Sequence, residues 1–217
     1  MVDFAKARRT MVDNQLRTSG ITDWRILDVM NRVPREAFVP SAHKQLAYID
    51  DTTPISADRQ IAAPAQFARL IQLAAIRDTD VVLDVGCATG YSTAVLAGLA
   101  NAVVALEEDQ DLVERANDTL AALDVSNAAV VSGPLAQGVP NEAPFDVIVV
   151  EGAVDQIPDS LAAQLRDGGR LVAVRGLGNA AVAYVTVRQG DTFSTRPEFN
   201  ASLPPLGAFS AQPAFQF

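Results

Sequence analysis

One cysteine in 217 residues excludes an intrachain disulfide framework, and one histidine leaves no His/Cys cluster with metal-ligand spacing, so no metal is expected. Basic residues are also scarce: 17 Lys and Arg against 26 Asp and Glu give a formal net charge of −9. Such a chain lacks the basic face that phosphate-backbone binding needs, so no nucleic-acid partner is expected. The one dense basic cluster, Lys6, Arg8 and Arg9, reads as a solvated helix end. No uninterrupted apolar run approaches the ~20 residues of a membrane span. Residues 1–15 are charged and lack the apolar centre of a secretory signal. The expectation is a soluble protein of a reducing cytoplasm, without a membrane partner. Oligomeric state leaves no mark on the sequence.

What is present is a core: 49% of residues are hydrophobic, enough for one compact unit. Met11, Leu16, Ile26, Leu27, Met30 and Val33 recur at helical spacing, with Asp23 placed to cap a helix. Residues 41–62 are turn-rich. Phe67, Leu70, Ile71 and Ala74 repeat the helical period behind Pro64, a residue suited to a first helical turn. From there the pattern alternates. Apolar strands are expected at 81–85, 102–106, 128–131, 147–150, 171–174 and 182–187. Helices are expected at 92–99, 112–123 and 161–165, the last stopped by Gly168-Gly169. This predicts an α/β fold, a doubly wound and mostly parallel sheet with an N-terminal helical extension. Residues 1–63 form the helical and substrate-lid segment and 64–217 the nucleotide-binding unit. The Pro/Phe-rich stretch 196–217 is read as an ordered wrap on the sheet.

The informative segment is Val82-Leu83-Asp84-Val85-Gly86-Cys87-Ala88-Thr89-Gly90-Tyr91-Ser92, a buried strand, a small-residue turn and a helix start. In an open parallel sheet that turn lies at the carboxyl end of the strand, where ligands bind. Glycines there let the backbone approach a ligand closely. Glu107, about twenty residues on at the end of the next strand, can accept hydrogen bonds from both hydroxyls of a ribose. The dinucleotide fingerprint G-x-G-x-x-G is absent, because Ala88 takes the second glycine position and Tyr91 follows Gly90. Asp84 would repel a pyrophosphate and attract an ammonium group. The spacing D-x-G-x-x-x-G plus Glu107 therefore favours S-adenosylmethionine, with Asp84, Gly86, Cys87, Ala88, Gly90, Tyr91 and Glu107 as its cofactor-binding residues. Cys87 reads as a small residue fitting a crowded turn, and His43 as a surface residue.

With these residues in place, the chain resembles the protein L-isoaspartate (D-aspartate) O-methyltransferases. The likeness rests on Met11-Val12-Asp13-Asn14-Gln15-Leu16, on Arg32-Val33-Pro34-Arg35-Glu36-Ala37-Phe38-Val39-Pro40, on Ala47-Tyr48-Ile49-Asp50 and on the loop from Asp84 to Tyr91 with Glu107. Gly133 to Gly138, Ala143-Pro144-Phe145-Asp146 and Gln164 to Val172 continue it. The resemblance implies a Rossmann-like class I methyltransferase that uses S-adenosylmethionine to methylate the free carboxylate of L-isoaspartyl residues in damaged proteins. A carboxylate acceptor is already ionised at neutral pH, so alignment rather than a general base is what it requires.

Departures fall at functional positions. The family's Thr-Ile-Ser segment, whose serine lies beside the transferred methyl group, reads Gln60-Ile61-Ala62-Ala63-Pro64 here. Ala62 thus replaces the serine, and no catalytic residue is assigned. A Gly-Asp-Gly that helps hold the adenine reads Gly133-Pro134-Leu135. Glu151 replaces a small residue; it is expected to turn into the sheet edge and pair with a cation such as Arg175, the alternative being that it faces the acceptor. These departures keep two further readings open: methylation of a different acceptor, or a cofactor-binding module with little turnover.

Overall fold

The computed structural model describes residues 2–209 of the chain. Helix α1 (Phe4–Met11) starts where Asp3 accepts a hydrogen bond from the Lys6 amide, and runs on through a π-helical turn, Val12–Leu16. Helix α2 (Trp24–Arg32) is capped by Asp23, which accepts from the Arg25 amide. In the basic cluster Arg8 is half-buried and donates to the Arg32 carbonyl at 2.6 Å, so only Lys6 and Arg9 behave as a solvated end. A short hairpin, β1 (Thr53–Pro54) with β2 (Gln60–Ile61), leads into α3 (Pro64–Ala74), which has proline in its first turn. Met11, Leu16, Ile26 and Met30 share one buried cluster with Phe67, Leu70, Ile71 and the sheet residues Val82, Val103 and Val147. The N-terminal helices are thereby fixed to the sheet by a common core rather than by a linker.

The main sheet comprises β3 (Val81–Val85), β4 (Ala102–Glu107), β5 (Ala128–Ser132), β6 (Phe145–Val154), β7 (Leu165–Arg175), β8 (Val182–Gln189) and β9 (Thr192–Asn200). Its order is β5-β4-β3-β6-β7-β8-β9, parallel from β5 to β7 and antiparallel thereafter. Between them stand α4 (Tyr91–Ala97), α5 (Gln110–Ala122) and the single turn α6 (Asp159–Ala162). Parallel neighbours need crossovers, which the helices supply; the short connections after β7 and β8 force antiparallel pairing. Strand order reverses between β3 and β6, and ligands of such sheets bind at the carboxyl ends beside that reversal. Among the described residues, no helix is long and apolar enough to cross a membrane.

Two expectations change. Residues 161–165 are not one helix: α6 ends at Ala162, and Leu165 already pairs with Phe145. Gly168-Gly169 is a bulge within β7, not a helix stop; Gly168 has φ +75° and a Cβ on Gly169 would lie 2.9 Å from the Arg166 carbonyl oxygen. The stretch read as a wrap divides into the end of β9, up to Asn200, and a segment crossing the top of β6. In that segment the Ala153 amide donates to the Pro204 carbonyl and the Leu206 amide to the Ala153 carbonyl, at 2.8 and 3.0 Å. Residues 210–217 lie outside the described part.

Candidate active site

The loop after β3 is built by local geometry. Gly86 (φ +83°) and Gly90 (φ +89°) take left-handed conformations, and so does Ala88 at φ +49°. The position that departs from the glycine pattern thus keeps a glycine-like backbone, against a Cβ penalty of about 1 kcal/mol. The Gly86 amide donates to the Leu106 carbonyl at 2.8 Å, tying the loop to β4. The Thr89 hydroxyl donates to the Phe38 carbonyl at 2.6 Å. That bond anchors the Arg-Val-Pro-Arg segment directly on the loop.

Asp84 is fully buried, and its Oδ2 accepts from the hydroxyls of Ser92 and Thr93 at 2.8 and 2.7 Å. Among the described residues its Oδ1 has no hydrogen-bond partner. Burial pushes the Asp84 carboxyl up to about 7; the Thr93 and Ser92 hydroxyls and Arg59 pull it down, while Glu107 pushes it up. Glu107, also fully buried, accepts the Ala88 amide on Oε2 at 2.8 Å and the Glu108 and Asp109 amides on Oε1 at 3.0 and 3.2 Å. Arg59, from the β1–β2 hairpin, pairs with Oε1 at 2.5 Å and donates to the Gly86 carbonyl at 2.9 Å. Sequence reasoning missed Arg59, because nothing in the turn-rich pattern of 41–62 marks a cation aimed 48 residues ahead.

A cavity at this point is lined by Gln60, Ile61, Ala62 and Phe67 from the lid side, Gly86, Cys87, Ala88, Tyr91 and Ser92 from the loop, and Glu151 from β6. Ala62 therefore faces the loop. Its carbonyl accepts from Arg35 Nη2 at 2.7 Å, while Arg35 Nε donates to the Ala47 carbonyl at 2.8 Å. Arg35 is fully buried with its guanidinium 4.7 Å from the centre of the Tyr91 ring. Tyr91 is wedged between Phe38 and Phe67, each 5.7 Å away ring to ring. Cys87 is a buried free thiol pushed upward by burial and by Asp84 and Glu107, which fits a packing residue better than a nucleophile.

Glu151 corrects an expectation. Among the described residues no ion pair joins it to Arg175, whose guanidinium lies over the Tyr184 ring at 5.1 Å. The irregular register between Val149 and Ala153 turns the end of β6, and Glu151 reaches the cavity with its Oε1 unpartnered. Burial, with Asp84 adding to it, pushes this carboxyl well above the usual carboxylate range. Gly152 is required beside it: a Cβ there would lie 2.5 Å from Leu206 and 2.8 Å from the Pro204 carbonyl oxygen.

Chemically, this site brings together three carboxyl groups, the fully buried Asp84 and Glu107 and the cavity-lining Glu151, with an unpartnered oxygen on Asp84 and on Glu151 among the described residues, below a loop whose backbone is open to close approach. It suits a ligand with hydroxyls and a positive charge, and it does not suit a phosphate. The comparisons agree on such a protein. The profile of the family described as Protein-L-isoaspartate(D-aspartate) O-methyltransferase matches residues 6–206. A protein-L-isoaspartate O-methyltransferase of Roseiflexus sp. (strain RS-1) is 38% identical over 94% of this chain and 94% of its own length. That of Methanoculleus marisnigri is 42% identical over 95% and 94%. A Plasmodium falciparum structure, described as a protein-L-isoaspartate O-methyltransferase in complex with S-adenosyl-L-homocysteine, shares the fold with a TM-score of 0.76 at 22% identity, covering 93% of this chain and 98% of that one. On the family match and these relatives together, the chain belongs to the protein-L-isoaspartate(D-aspartate) O-methyltransferase family.

Proposed function

We propose that this protein transfers a methyl group from S-adenosylmethionine to the free carboxylate of L-isoaspartyl residues in a protein or peptide. The observation that carries the reading is the pair of buried carboxyls, Asp84 with a free oxygen and Glu107 at the end of β4, beside the reversal of strand order. When bound, the cofactor supplies a sulfonium-activated methyl group, which an acceptor carboxylate oxygen takes as the carbon–sulfur bond electrons return to sulfur. Asp84 receives the cofactor's ammonium group, and Glu107 accepts its ribose hydroxyls. Gly86, Cys87, Ala88, Gly90 and Tyr91 form the close-fitting backbone. We assign residues 1–63 to the acceptor side as a lid on the cofactor-binding unit 64–217. The same reading has no nucleic-acid partner for a chain of net charge −9, and a reducing cytoplasm as its setting.

The acceptor side needs no proton acceptor. Its wall is Ala62, held by Arg35, and Glu151, whose carboxyl burial pushes above the usual carboxylate range. That direction lessens the negative charge an incoming carboxylate would meet there, so the departure at this position is compatible with an anionic acceptor. Ala62 in place of a serine favours one further reading, a different acceptor, because the wall offers no hydroxyl there. The test has two parts. S-adenosylhomocysteine should raise the melting temperature and NAD should not. Aged protein incubated with methyl-labelled cofactor should then acquire base-labile ester. Base-stable label would indicate a nitrogen or other acceptor and overturn the assignment.

A further inference from the structure

We propose that Arg59 exchanges partners during the cycle: it closes Glu107 in the free protein, and once ribose hydroxyls occupy that carboxylate it becomes the cation that holds the acceptor's carboxylate. This rests on the reading of Glu107 as the ribose acceptor.

The first half follows from position. Arg59 Nη1 lies 2.5 Å from Glu107 Oε1, and Nη2 donates to the Gly86 carbonyl at 2.9 Å. The guanidinium thus covers both the carboxylate and the glycine backbone that a nucleoside would approach. Oε1 already accepts from Arg59 and from the Glu108 and Asp109 amides, so a ribose hydroxyl gains room there only when Arg59 withdraws. Leaving is feasible for Arg59 because Glu107 keeps three backbone donors, from Ala88, Glu108 and Asp109, so its charge is not left bare. The hairpin that carries Arg59 is a ladder of two pairs, Thr53 with Ile61 and Pro54 with Gln60. Ile55 and Ile61 fix the two ends of this short ladder in the core cluster, while residues 56–58 at its tip are exposed, so the movement asked of it is that of the tip and the Arg59 side chain.

The second half follows from what a displaced guanidinium would meet. Gln60, Ile61 and Ala62, the next three residues of the same segment, line the cavity. Among the described residues none that lines it is cationic, while Asp84 and Glu151 place carboxyl groups in or beside it. Arg35, another nearby cation, donates to the carbonyls of Ala47 and Ala62 and is fully buried outside the cavity lining, although its Nη1 is unpartnered among the described residues. An anionic acceptor therefore needs a counter-charge that the fixed wall does not provide, and at Ala62 it finds no hydroxyl. An arginine fork matches a carboxylate in two parallel hydrogen bonds. Released from Glu107, Arg59 supplies that fork on the side where the acceptor enters, and it does so only after the cofactor is seated. Closure and acceptor binding are then ordered by one side chain.

The test uses Arg59→Ala, Arg59→Gln and Arg59→Lys in the full chain, with S-adenosylhomocysteine affinity read by calorimetry and peptide KM and kcat read separately. In the first two variants, affinity for S-adenosylhomocysteine should rise about tenfold as the competing cation is removed. KM for an isoaspartyl peptide should rise roughly ten- to a hundredfold, with kcat little changed. Arg59→Lys, which keeps the charge and protects the fold, should fall between wild type and Arg59→Ala on both. Opposite signs are the signature, since a merely structural role would weaken both. Unchanged or weaker S-adenosylhomocysteine binding would overturn the closure, and an unchanged peptide KM would overturn the acceptor contact. Wild-type protein that turns over no isoaspartyl peptide would overturn the proposed function together with the acceptor contact, while calorimetry would still decide the closure.

Discussion

Replacing Arg35 by methionine removes a buried cation that joins three parts of the site. The side chain donates to the carbonyls of Ala47 and Ala62 at 2.8 and 2.7 Å and lies 4.7 Å from the centre of the Tyr91 ring. Methionine fills similar space but leaves both carbonyls without these donors, at ~1–3 kcal/mol for each one that stays dry. Loss of the cation–ring contact adds ~0.5–2 kcal/mol. Against this stands relief from burying a guanidinium whose Nη1 has no partner and whose pKa burial lowers. The net expectation is a loss of about 2–4 kcal/mol, or roughly 5–15 °C in melting temperature for a chain of this size. Ala62 would lose its tether, so peptide kcat/KM should fall by more than cofactor affinity does. Thermal and urea unfolding of Arg35→Met beside Arg35→Lys measure the first part, and peptide kinetics beside calorimetry the second. A variant within ~0.5 kcal/mol of wild type and with unaltered kcat/KM would refute the idea that Arg35 holds the acceptor wall.

Glu107→Gln should keep the fold and weaken S-adenosylhomocysteine about tenfold, whereas Glu107→Ala should also lower the melting temperature by several degrees, because three backbone amides lose their acceptor; calorimetry and melting curves separate the two. The raised pKa of Asp84, about 7, sets a sign. Its contribution to stability is full below its ordinary pKa and is lost as pH rises through about 7, while affinity for a ligand ammonium rises over the same range. Affinity near pH 6 should be roughly tenfold below its alkaline plateau, and Asp84→Asn should abolish that slope. Ala62→Ser should raise peptide kcat by about tenfold if the acceptor is the family's. Glu151→Gln should leave that rate within about threefold, since burial pushes the native carboxyl toward its neutral form; a large change would mean that it acts as an anion.

Much of the site was legible because its signals are local. An apolar run, a small-residue turn and a distant acidic residue specify β3, its loop and Glu107, and Asp23 and Pro64 mark helix starts by their own backbone chemistry. What was not legible depends on distant partners. Strand β9 is exposed along most of its length, so its sequence carries no buried alternation. The direction of Glu151 is set by an irregularity between Val149 and Ala153 that appears only once β6 pairs with β7. Gly168-Gly169 looks like a helix stop because glycine serves bulges and helix ends alike. Arg35 was visible as part of a family string, but its burial beneath Ala62 is a tertiary fact. Arg59 stands in a segment whose composition says only that the chain turns.

The measurement that bears most directly on the account is kcat/KM for an isoaspartyl peptide divided by that for its normal aspartyl twin, with methyl-labelled S-adenosylmethionine and base-labile ester as the readout. The two peptides differ only in which carboxyl continues the backbone, so the ratio isolates recognition of the free carboxylate from general affinity for peptide. The account predicts a ratio of at least about a hundred, corresponding to ~2.7 kcal/mol of discrimination in the transition state. A ratio near one, or no ester on either peptide while S-adenosylhomocysteine still binds, would contradict it.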